Sequence, residues 1–177
     1  ATYVGTNVYD QTFLLDVDKF NSVFVFGQTL GIYPVSPNVF TNLGGKQFIH
    51  KFSSDLSTSL FSTVFGRGSA SIDIVPTALN VDDCLNILLS GWGGLSNQGY
   101  MGGRMLNLPI TADAYQKTTD ESDFYFMVLG PNASTLKYAT FFGGANSQEH
   151  VDGGTSRFDK SGNIYQAVCA GCGGFSD

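Results

Sequence analysis

The sequence predicts an all-β chain assembled from four-stranded antiparallel units, and three observations predict it. Turn-forming residues dominate: 22 Gly stand beside thirteen Asp and only two Glu among 177 residues, a balance that favours hairpins over helices. No window longer than about ten residues carries a sustained apolar period of 3.6. Short phrases also recur in a fixed order. Ala1-Thr-Tyr-Val-Gly5, Ser62-Thr-Val-Phe-Gly66 and Ala139-Thr-Phe-Phe-Gly143 each precede an apolar phrase: 13–27, 74–91 and 155–171 respectively. Ordered recurrence of this kind marks a repeat architecture.

Taken in order, residues 1–5 read as the last strand of an earlier unit, 6–66 as a full unit, 67–143 as a second and 144–177 as the first half of a third. In the second unit the four runs are Pro76 to Val81, Asn86 to Ser90, Phe124 to Leu129 and Leu136 to Phe142. Each is rich in Val, Ile, Leu, Phe and Tyr and is bounded by Gly, Asn, Asp or Pro, as short strands are. First strands are expected near 12–17, 76–81 and 155–158. The third-strand phrase Phe48-Ile-His-Lys-Phe52 is matched with Phe124-Tyr-Phe-Met-Val128. Pro-containing loops lead into both, at Tyr33-Pro-Val-Ser-Pro37 and Leu108-Pro-Ile-Thr-Ala112. First and second strands are joined by Asp18-Lys-Phe-Asn21, Asp82-Asp-Cys-Leu85 and Asp159-Lys-Ser-Gly162. An Asp at the head of such a turn caps its own backbone, and Asn or Gly accepts the left-handed position. Leu85 does not suit that position, so its hairpin is expected to be built differently.

A four-stranded antiparallel unit repeated at this length predicts β-propeller blades, here an incomplete propeller of about two and a half. The phrases Ala139-Thr-Phe-Phe-Gly-Gly144, Phe158-Asp-Lys-Ser-Gly-Asn-Ile-Tyr165, Leu108-Pro-Ile-Thr-Ala-Asp-Ala-Tyr-Gln116 and Asp123-Phe-Tyr-Phe-Met127 resemble the bacterial SBBP-type β-propeller repeat. The resemblance extends along essentially the whole chain. It implies a large secreted or cell-surface protein similar to very long Bacteroidetes proteins, in an adhesion or gliding-motility context with type IX secretion machinery as a partner. Closed propellers need four to eight blades, so the remaining blades are expected from a longer parent chain or from further copies. Ala1 is not an initiator Met, so the chain reads as a processed or excised product.

Composition limits function further. A net charge of −6 argues against nucleic acid, since nothing here would release counterions from a polyanion. No stretch reads as a membrane span. Catalytic residues, a metal and cofactors are not expected: no G-x-S-x-G elbow or phosphate-cradling loop occurs. Asp16-Val-Asp18 and Asp82-Asp83 lack the register of a calcium loop and read as hairpin caps. His50, within a third strand, is expected to face solvent.

The candidate binding residues lie in loops. Trp92 and Tyr100, beside Asn97 and Gln98, have the character of a sugar-stacking platform, with Arg104 a further candidate binding residue of the same long loop and packing between units the alternative for Trp92. His150 and Asp152 sit beside Glu149 in a loop toward a first strand, where local capping of a Gly-Gly turn is the alternative to ligand binding. Cys169 and Cys172 suit a local disulfide in a Gly-rich loop, with free thiols or metal as alternatives, and neither reaches Cys84. The favoured function is a non-enzymatic structural and ligand-presenting module with a glycan or surface ligand as partner. The alternative is an enzyme acting on polysaccharide at a channel mouth.

Overall fold

The computed structural model describes residues 2–93, 104–147, 149 and 156–168. Its strands are β1 (Asp10–Val17), β2 (Val23–Thr29), β3 (Gln47–Phe52), β4 (Ser59–Phe65), β5 (Val75–Val81), β6 (Ile87–Trp92), β7 (Phe124–Leu129), β8 (Leu136–Phe142), β9 (Ser156–Phe158) and β10 (Ile164–Gln166). They form antiparallel sheets in the orders β1-β2-β3-β4 and β5-β6-β7-β8, and a two-stranded β9-β10. The fold class is therefore all-β, and the described residues close no ring. Residues 2–9, with the phrase that resembles a last strand, carry no strand here.

Register shows the first two sheets to be copies. A bulge lies between Thr12 and Leu14 in β1, and another between Pro76 and Ala78 in β5. A second shift separates Lys51 from Phe52 and, correspondingly, Val128 from Leu129. Gln47 pairs with both Gln28 and Phe65, while Phe124 pairs with both Trp92 and Phe142. Gln47 and Phe124 are thus equivalent, and Phe48 corresponds to Tyr125 rather than to Phe124. The sequence match was one residue out because apolar residues fill both faces of these strands, leaving no alternation to fix the phase.

All three hairpin turns are the same turn. Asn21, Leu85 and Gly162 donate to Asp18, Asp82 and Asp159 carbonyls at 2.9, 2.9 and 3.0 Å. Their φ angles are 61°, 65° and 84°. Leu85 therefore does adopt the left-handed position, against the sequence expectation: the Asp82 cap, which accepts the Asn86 N–H at 2.8 Å, overrides the preference of the leucine. A β-carbon there costs on the order of 1 kcal/mol. Leu85→Gly is expected to raise unfolding free energy by about 0.5–1 kcal/mol, measured by urea denaturation.

The first two sheets stack face to opposite face. One face of the first sheet (Phe24, Phe26, Ile49, Phe61, Phe65) packs on the opposite face of the second (Ile87, Leu89, Tyr125, Met127, Phe141), and this apolar layer is the main core. First strands lie side by side, β1 against β5 and β5 against β9. The Val81 N–H donates to Asp16 Oδ2 at 2.6 Å, and Gln28 Nε2 donates to the Ile74 carbonyl at 2.8 Å. The outer edges of β4 and β8 are covered by their own loops. Ser36 N–H donates to the Ser62 carbonyl at 2.9 Å and Thr111 N–H to the Ala139 carbonyl at 3.1 Å. The matched Pro loops thus perform one task, satisfying edges that would otherwise pair with another chain.

Candidate functional site

The face of the second sheet equivalent to the buried face of the first is only partly covered. Leu88, Phe126, Val128, Tyr138 and Phe142 occupy the positions of Phe24, Ile49, Lys51, Phe61 and Phe65 in the ladders. They floor a groove of about 490 Å³, walled on one side by Phe158 and Ile164 from β9-β10 and capped by Tyr115. Phe126 and Phe142 pack at 6.0 Å between ring centroids, and Tyr115 and Phe142 at 6.3 Å. This is an apolar, aromatic surface with one half-sheet seated in it. Chemically it suits burial of apolar side chains or the faces of sugar rings.

Of the residues singled out in the sequence, Trp92 ends β6, half-buried opposite Phe124. Arg104 is exposed and lies 3.6 Å from Glu121. Neither lines the groove. Tyr100, His150, Asp152, Cys169 and Cys172 fall outside the described residues. Cys84 is an exposed free thiol. Asp18 serves as the expected hairpin cap, accepting Phe20 and Ser22 N–H groups at 2.9 and 2.8 Å. It also pairs with Lys51 Nζ at 3.0 Å, a buried contact the sequence did not reveal. Lys51 in turn lies over the Phe24 ring, 4.8 Å from its centroid.

His50 does not face solvent as expected. It is 7% exposed on the outer face of the first sheet, stacked on Phe52 at 4.0 Å between centroids. The Tyr33 hydroxyl lies 2.9 Å from Nδ1 and the Ser59 hydroxyl 2.7 Å from Nε2. Burial holds the imidazole down to about 4, so it is neutral near pH 7. The Ser59–His50–Tyr33 chain has the connectivity of a nucleophile relay, but its third member is a phenol that burial keeps protonated. A neutral phenol does not stabilise an imidazolium as a carboxylate does. The Pro-loop Tyr33, stacked on Phe48 at 4.2 Å, explains the burial; the sequence signal was the loop phrase that precedes the strand.

A carboxylate fastens each junction into a first strand. After the glycine that closes a fourth-strand phrase, the next N–H donates to an acid downstream: Thr6 to Asp10 at 2.5 Å, Arg67 to Asp73 at 3.0 Å and Gly144 to Glu149 at 2.8 Å. Asp73 is fully buried, and Arg67 Nε reaches its Oδ1 at 2.6 Å. Burial pushes the Asp73 carboxyl up to about 6 against the pull of Arg67.

No protein-family model matches the chain, and no curated protein matches it in sequence.

Proposed function

We propose that the chain is a non-enzymatic structural and ligand-presenting segment of a β-propeller, belonging to a large secreted or cell-surface bacterial protein with an adhesion or gliding role. One observation carries this reading: the first four-stranded unit packs one face on the opposite face of the second, and β9-β10 borders the second unit's equivalent of that first face, as propeller blades do. The half-unit β9-β10 continues the series on the second sheet, and the groove beside it is the seat of that unit's third and fourth strands. The recurring phrases that resemble SBBP-type repeats support the compartment and the context. Glycan or surface-ligand binding belongs to the long loops, of which the 104–116 segment borders the groove through Tyr115.

The test extends the chain with the strands this reading requires. A copy of residues 104–143, which carries the third and fourth strands of the second unit, is joined after Val168. Covering the groove is expected to raise Tm by several degrees, since each further buried aromatic contributes about 2 kcal/mol, and to abolish binding of an apolar fluorescent dye. An appended segment that stays unfolded, with dye binding unchanged, would overturn the stacking scheme.

A further inference from the structure

The junction between the first and second units and the one that leaves the second unit differ in charge at equivalent positions. At the first, Asp73 is flanked by Arg67, in contact, and by Lys46, which also favours its ionised form. Arg67 follows Gly66 and Phe65; its counterpart after Phe142 and Gly143 is Gly144, which has no side chain. Lys46 precedes Gln47 and accepts the Thr29 N–H on its carbonyl at 2.9 Å. Its counterpart is Asp123, which precedes Phe124 and accepts the Gly93 N–H at 3.2 Å. The acid itself, Asp73, becomes Glu149. Both cations are therefore lost and a second carboxylate is added.

The resulting pair is buried and incompletely satisfied. Asp123 is 0% exposed and Glu149 5% exposed, yet Asp123 Oδ2 and Glu149 Oε2 are buried without a hydrogen-bond partner. Both groups close on the same glycine: a methyl placed on Gly143 would collide with Asp123 Oδ1 and Glu149 Oε2. Asp120 adds a third negative charge nearby. Among the described residues no cation stands beside these two carboxylates, so their free lone pairs leave an uncompensated burial of charge.

We propose that this junction binds a divalent cation of the calcium class, held by Asp123 and Glu149, in the place that Arg67 and Lys46 fill at the preceding junction. Among the described residues the ligands are hard carboxylate oxygens with neither His nor Cys, which suits calcium over zinc or copper. Among the described residues no three His, Cys, Asp or Glu side chains form a metal cluster, so neutral oxygens and water complete the shell. Such a shell gives calcium modest affinity, as in extracellular modules. The cation stabilises the step from the second unit to the third.

The 177-residue chain contains one tryptophan, Trp92, one residue before the Gly93 that hydrogen-bonds Asp123. Terbium, a calcium surrogate, therefore has a sensitiser beside the site. Titration is expected to give saturable tryptophan-sensitised emission at one ion per chain, displaced by calcium. Calcium at about a hundredfold excess over Kd is expected to raise Tm by about 5–10 °C. Asp123→Asn and, separately, Glu149→Gln are expected to weaken binding at least tenfold; each should also raise Tm in chelator by relieving repulsion. Emission that does not saturate, no calcium shift in the unaltered chain, or an equal shift in either folded variant would overturn the site.

Discussion

Replacing Arg67 by methionine is expected to cost about 3 kcal/mol of unfolding free energy at pH 7, measured by urea denaturation. Arg67 does three things at once, two of them through its guanidinium. Its Nε meets Asp73 Oδ1 at 2.6 Å, its Nη2 donates to Ser71 Oγ at 2.7 Å, and its backbone N–H donates to Asp73 Oδ2 at 3.0 Å. Methionine keeps the stem and the backbone bond but leaves a fully buried carboxylate without its contact cation. The loss should shrink in acid. Asp73 titrates in the folded state at about 6, above its ordinary value of 3.8, so between these limits the folded chain binds more protons than the unfolded one. Its contribution to stability therefore grows as pH falls through that window, by at most about 1.4 kcal/mol per pH unit. Removing Arg67 pushes the carboxyl higher still, so acidification to pH 4 should recover most of the loss. A variant equally destabilised at pH 4 and pH 7 would show that Arg67 acts by packing rather than charge.

The repeat was legible because strand four and the first hairpin are written in residues whose chemistry is local. Ser62 and Ala139 hold the same register position, as their phrases implied, and Asp18, Asp82 and Asp159 cap one kind of turn. Legibility failed where tertiary context decides. Leu85 takes a left-handed conformation against its own preference because the turn around it is fixed at both ends. His50 is buried by Tyr33, a residue from a loop that covers the sheet, and no pattern within β3 announces that cover. The incomplete stack was legible, but no sequence pattern located the candidate groove. The residues chosen as a binding platform came from loop aromatics, whereas the groove draws on Phe126, Tyr138 and Phe142 within strands. The Asp123–Glu149 pair had a sequence signal, but only after alignment by register. Lys46 against Asp123, and Arg67 against Gly144, become meaningful once Gln47 is matched to Phe124, and the phrase match had placed that phase one residue away.

The same equivalence sets up the second large effect, because one residue type occupies a covered and an uncovered copy of one position. Phe65 and Phe142 both end the fourth strand, paired with Gln47 and Phe124. Phe65 is 0% exposed in the layer between sheets, 5.9 Å from the Phe26 ring; Phe142 is 41% exposed in the groove. Phe65→Ala removes a fully buried ring from a close-packed layer and leaves a cavity, so about 4 kcal/mol should be lost. Phe142→Ala removes a ring that water already reaches, and with no enclosed cavity the cost should be about 1 kcal/mol. Urea denaturation of the two variants in parallel measures the difference directly, since local strand geometry is shared. In the chain extended after Val168 the stacking scheme requires the two costs to converge, with Phe142→Ala rising toward 3 kcal/mol as a new unit covers the ring. Equal costs in the unextended chain would mean that the groove is already closed in solution, by association of copies, and sedimentation across a concentration series would then show that association.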